Sequence, residues 1–122
     1  MIEIEALTEE IKIKDDFDEK IKDMGINSIC ICGSMRFANE ILSIGFLIEN
    51  KYAIAVFPPF ADPLHKVPIN ENNLNISHRT KIERSDAILV VDINGYIGAS
   101  MRKEIAYAYN IHKPVIYLSN YI

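Results

Sequence analysis

Positive charge is in short supply in this sequence. Across 122 residues, 13 Lys and Arg stand against 17 Asp and Glu, for a formal net charge of −4 and a pI near 5.3. A protein that grips a nucleic acid polymer or an anionic membrane needs a basic face, and this balance argues against both. A few clustered cations are still enough for one small anion. Long apolar runs are missing too. The longest, Ile41 to Ile48, falls far short of the roughly 20 residues that span a bilayer. The opening Met1-Ile2-Glu3-Ile4-Glu5 is acidic, where a signal peptide is basic and then apolar. Cysteine is nearly absent: Cys30 and Cys32 sit one residue apart in an apolar stretch. On a strand both would face the same way at the limit of bridging distance, so a disulfide is not expected and small buried side chains are. No Cys or Cys/His pair has zinc spacing, and His65, His78 and His112 have no ligand spacing either. These absences together predict a soluble, reduced, cytoplasmic protein.

What is present is an ordinary globular balance, 49% hydrophobic and 25% charged, enough for one domain with one core spanning residues 1–122. No internal repeat or low-complexity segment appears. Ile11, Phe17, Ile21 and Met24 form a helical stripe within residues 8–24, closed by Gly25, so residues 1–25 read as an N-terminal helical extension. Residues 26–32 read as a buried strand, 36–50 as a helix with Phe37, Ile41, Ile44, Leu47 and Ile48 on one face, and 52–57 as a second buried strand. No period is visible from Pro58 to about Asn75, which holds four of the five prolines. A loop of that length inside a compact domain is usually a lid, a binding wall or an interface. A short helix over 74–85 leads to the strand 87–91; a turn-rich loop follows. Ser100 then caps a helix running to about His112, with Met101, Ile105, Ala108 and His112 as its apolar face, and residues 114–118 close as a fourth strand.

Strands apolar on both faces and alternating with helices predict an α/β fold: a doubly wound, Rossmann-like four-stranded parallel sheet with helices on both faces. The order 2-1-3-4 puts a topological switch point between the first and third strands, and ligands bind outside the carboxyl ends of strands at such points. Two loops converge there, Gly33-Ser34-Met35-Arg36 and Asp92 through Glu104. Gly33 permits a tight turn, Ser34 can cap, and the first helical turn offers free N–H groups. Arg36 in that first turn opposes the helix dipole unless an anion lies between them. The pattern is neither GxGxxG nor a P-loop. Arg102 and Lys103 repeat the oddity in the later helix. Glu104 flanks its apolar stripe, either as a surface residue beside Tyr107 or as a partly desolvated carboxylate. Asp92 ends the third strand at the edge where sites lie, as a turn residue or as a second carboxylate. Asp86, at the other edge, reads as a cap or terminator of the preceding helix. Two carboxylates on one crevice suit cleavage of a glycosidic bond: one meets the anomeric carbon while another group protonates the leaving group. Tyr96, Tyr107 and Tyr109 are packing residues or walls of a base pocket, and His112 reads as a helix C-terminal residue favoured by the dipole.

Residues 29–36 (Ile-Cys-Ile-Cys-Gly-Ser-Met-Arg), 85–92 (Ser-Asp-Ala-Ile-Leu-Val-Val-Asp) and 98–108 with Lys113-Pro114-Val115 resemble the nucleoside 2-deoxyribosyltransferase family over roughly residues 26 to 118. The Gly-Ser-x-Arg start is similar to the branch that hydrolyses deoxynucleoside 5′-monophosphates. The resemblance implies that Glu104 is a nucleophile attacking C1′ of the deoxyribose, forming a covalent glycosyl-enzyme resolved by water or a second base. It implies that Ser34 and Arg36, with the backbone around Gly33 and Met35, hold the 5′-phosphate, that Gly98 and Ser100 add a second contact, and that Asp92 matches an acidic position. It also implies a homodimer or larger homo-oligomer. Two positions depart from the pattern: Cys30 stands for a family Tyr, and His78 for an Asp that handles the leaving base's proton. Histidine can do acid/base work near neutral pH. The expectation is an N-glycosidase, or a base-exchanging transferase, acting on a nucleoside 5′-monophosphate with no metal or other cofactor. The alternative is a catalytically idle nucleotide-binding sensor or regulatory module on the same fold.

Overall fold

In the computed structural model, which describes residues 13–60 and 66–122, four parallel strands form one sheet. They are β1 (Ser28–Gly33), β2 (Ala55–Phe57), β3 (Ala87–Val91) and β4 (Val115–Tyr117). The order is β2-β1-β3-β4, as the alternation of apolar strands and helices predicts. In register, Cys32 pairs with Val90 and Gly33 with Val91, so the carboxyl ends of β1 and β3 lie side by side at the switch point. All five residues of β3 are buried, the pattern of a strand covered on both faces.

Strand parity splits the interior in two. Ile29 and Ile31 of β1, with Ala87, Leu89 and Val91 of β3, meet α1 (Asp16–Met24) and α2 (Ala38–Tyr52) through Phe17, Ile21, Ile41, Ile44 and Ile48. Cys30, Cys32, Ile88 and Val90 face the other way, toward α3 (Glu71–Arg84) and α4 (Ala99–Asn110), and pack on Ile82, Met101, Ile105 and Ala108. Phe17 is fully buried and its ring meets Tyr121 edge-on at 5.3 Å between centroids. The extension is thus built into the first core by α1. The start of its predicted stripe, Ile11 included, lies outside the described residues, as do the acidic opening and His65.

Several boundaries differ from the sequence reading. Gly25 does end α1 in the left-handed conformation (φ 59°), but Tyr52 belongs to α2, which Ala53 terminates at φ 56°. Strand β2 is therefore only three residues, at the sheet edge and partly exposed. Helix α3 starts at Glu71, inside the expected loop: Asn70 caps it, its side chain accepting the Asn73 N–H at 3.0 Å. The expected helix over 74–85 is there, but its first turn, Glu71 to Asn73, escaped the periodicity reading, because Ile82 is the helix's one buried residue. The rest of the expected loop falls partly on residues 61–65, outside the described part. Helix α4 is capped by Gly98, and Ser100 stands exposed within it, not at its cap. The helix ends at Asn110, so His112 is not on its apolar face: it is exposed, at φ 59°. Asp86 does not cap α3; its Oδ2 accepts the N–H groups of Asn27 (2.7 Å) and Ser28 (3.2 Å), anchoring the start of β1. Among the described residues, no helix is long and apolar enough to cross a membrane.

Candidate functional site

Helices α3 and α4 lie over the second core, and a cavity of about 570 Å³ opens between them. Side chains three and four residues apart share a helix face, so α3 presents Leu74, Asn75, His78, Arg79 and Ile82 to this space, and α4 presents Ser100, Lys103, Glu104 and Tyr107. The size falls within the range of small-molecule sites.

Glu104 is its chemical centre. Its Oε1 lies 3.0 Å from His78 Nδ1, and both side chains are mostly but not fully enclosed. Its Oε2 accepts from the Cys32 thiol at 3.1 Å. Strand parity brings this about: Cys32, the last residue before Gly33, points from β1 into the α3/α4 face, beneath the second turn of α4. Burial, then the charge of Glu104 and the hydrogen bond to it, push the Cys32 thiol far up and keep it protonated. Burial first, and Glu104 second, raise Cys30 to about 12. Both cysteines are free. A carboxylate held between a thiol and an imidazole at the wall of a cavity can serve as nucleophile or base, with the imidazole as proton carrier. Among the described residues, no group of three or more His, Cys, Asp or Glu side chains is gathered closely enough to hold a metal ion.

The remaining candidates sit around this centre rather than in it. The cavity gathers Glu104, His78 and Ser100, while Gly33, Ser34, Met35, Arg36, Asp92 and Gly98 are not part of its lining. Ser34 does cap, its Oγ accepting the Arg36 N–H at 3.3 Å, though the element it opens is a short 3-10 turn, Met35–Phe37, that leads into α2. Arg36 is exposed and stacks on Tyr96, its guanidinium carbon 4.3 Å from the ring centroid. A Cβ built on Gly98 would lie 3.2 Å from the Tyr96 hydroxyl. Tyr96 therefore links the β1 turn to the opening of α4. Asp92 is buried and spent on the chain itself: Oδ1 accepts the Ser119 N–H at 2.8 Å and Oδ2 the Ser119 hydroxyl at 2.6 Å. Of the three tyrosines, Tyr107 alone lines the cavity; its hydroxyl donates to Glu83, and Arg79 stacks 5.4 Å from its ring centroid. Tyr109 pairs with Tyr117, hydroxyl to hydroxyl, at 3.0 Å.

Cys32 as a partner of Glu104, Tyr96 as the link and Ser119 as the partner of Asp92 were not read from the sequence. For Cys32 a signal existed, the parity of β1 together with its place at the carboxyl edge. Compared with protein-family models, curated proteins and solved structures, the chain matches none of them.

Proposed function

We propose that the chain is an N-glycosidase, or a base-exchanging deoxyribosyltransferase, acting on a nucleoside 5′-monophosphate, as its resemblance to the nucleoside 2-deoxyribosyltransferase family implies. The observation that carries this reading is the contact between Glu104 and His78, on different helices, at the wall of a cavity of small-molecule size. In the proposed reaction Glu104 attacks C1′ and the bond to the base breaks with its electron pair leaving on the base. His78 supplies the proton that neutralises the base. Water, activated by the now neutral imidazole, or a second base then resolves the glycosyl-enzyme. Lys103 and Arg79 supply positive charge on the cavity wall; Arg36, which lies outside that lining and stacks on Tyr96, is the phosphate contact that the resemblance implies. The reading carries with it a cytoplasmic homodimer or larger homo-oligomer, and exposed Phe60, Ile69 and Ile76 offer apolar surface to a second copy.

A second reading, a nucleotide-binding module without turnover, draws on the fact that both oxygens of Glu104 already have partners. One experiment separates the two. Purified protein is incubated with a panel of ribo- and deoxynucleoside 5′-monophosphates, and free base is followed by chromatography. The glycosidase reading expects base from at least one nucleotide and a loss of at least about a thousandfold in Glu104→Gln. No base from any nucleotide, or equal release by the variant, refutes it. Nucleotide-dependent thermal stabilisation without base release favours the binding module.

A further inference from the structure

We infer that Cys32 is a positioning residue for Glu104: its thiol holds Oε2 so that Oε1 is the oxygen presented to the substrate. The inference rests on the proposed role of Glu104 as nucleophile and adds the device that aims it. A glutamate side chain has three rotatable bonds, and one placed in the second turn of a helix at a cavity wall can swing. Here one oxygen is tied to the sheet. Cys32 is 2% exposed on β1, a central strand paired on both sides, and its Sγ lies 3.1 Å from Oε2. The second acceptor near this thiol, the Met101 carbonyl, is farther at 3.7 Å and uncharged, so the single S–H proton goes to the carboxylate. Burial keeps the thiol protonated, which makes it a donor and not a rival nucleophile.

The choice of sulfur has a chemical logic. A thiol is a weak donor; it orients a carboxylate while drawing little charge from it, so Oε1 stays nucleophilic. When Oε1 bonds to C1′ and the base departs with the electron pair and a proton from His78, Oε2 becomes the ester carbonyl and still faces the thiol. When water adds to C1′, its proton passes to His78, the Oε1–C1′ bond breaks, and charge returns to the carboxylate as the thiol hydrogen bond strengthens.

Two measurements test this, one free of turnover. In the infrared spectrum the Cys32 S–H stretch, assigned by its loss in Cys32→Ser, is expected below that of Cys30 and is expected to move up in Glu104→Ala. An unmoved band overturns the inference. In kinetics on the released base, Cys32→Ala is expected to lower kcat about tenfold without raising KM. Cys32→Ser, nearly isosteric and still a donor, is expected to recover to within about threefold of the wild type. A serine variant as slow as the alanine variant, or an effect on KM alone, overturns the inference. Melting curves of each variant establish that it is folded. An inactive wild type refutes the glycosidase reading, and the infrared shift alone then decides whether Cys32 holds Glu104.

Discussion

Removing the Asp92 carboxylate is expected to loosen the end of the chain from the sheet. The side chain is 4% exposed, and each of its oxygens accepts one bond from Ser119, at 2.8 Å from the N–H and 2.6 Å from the hydroxyl. Hydrogen bonds to a charged group contribute about 1.5–3 kcal/mol each. Ser119 is exposed, so its donors regain water when the carboxylate is gone, and the loss in Asp92→Ala comes to about 3 kcal/mol. For a domain of this size that is a fall in melting temperature of roughly 10 °C. Ser119→Ala keeps the backbone bond and loses the hydroxyl, so a fall of about 5 °C is expected. The double variant should fall no further than Asp92→Ala alone, a coupling of about 1.5 kcal/mol, because the hydroxyl bond is lost in both single variants. The clamp matters because it seats the 3-10 turn Leu118–Tyr121, whose Leu118 is fully buried and whose Tyr121 meets Phe17. Calorimetry on the three variants at neutral pH is the assay. A melting temperature for Asp92→Ala within about 2 °C of the wild type, or strict additivity, would refute the reasoning.

Other outcomes are expected elsewhere. The Tyr52 hydroxyl and then Lys51 hold the Asp18 carboxyl below its ordinary 3.8; its contribution to stability is therefore present above that value and lost as the pH falls through the lower folded value. The gap in melting temperature between wild type and Asp18→Asn should accordingly close in acid, and a gap that persists there would contradict the assignment. Cys30 and Cys32, both buried and both raised, should resist iodoacetamide near pH 8 in the folded protein and react once denaturant is added; their contribution to stability is present below the ordinary thiol value of 9.0 and fades as the pH rises toward about 12 for Cys30. Mass spectrometry of the native protein checks this, and rapid labelling would count against it. Gly33→Ala places a Cβ 2.8 Å from Ile41 Cδ1, so the Ile41 side chain must move, at a cost of about 1–3 kcal/mol read as a lower urea midpoint.

The architecture was legible because the strands announce themselves. Ala87 to Val91 is apolar at every position, Gly25 marks a helix end, and the alternation with helices leaves a parallel, doubly covered sheet as the economical solution. The start of α3 was not legible. Its sequence is polar around Asn72, Asn73 and Asn75, and a helix that buries only Ile82 leaves no hydrophobic period to find. At the site, the local chemistry of Glu104 and His78 could be read, but their 3.0 Å approach depends on how two helices cross. Asp92 shows the opposite limit. Its place at a strand end suggested chemistry, whereas a serine 27 positions onward, unseen by any local pattern, absorbs both of its oxygens. For Arg36, helix-dipole reasoning pointed to an anion, and the structure supplies an aromatic ring as the cation's neighbour.

The split of the interior by strand parity has a practical reach. On the α1/α2 side the core cluster is aliphatic and aromatic and none of its residues carries the candidate chemistry; on the α3/α4 side the Cys32 thiol lies against Glu104. The sheet thus acts as a bulkhead. An engineer could harden the hull on one side, exchanging one oily residue for another, while the workshop on the far side keeps its tools where they were.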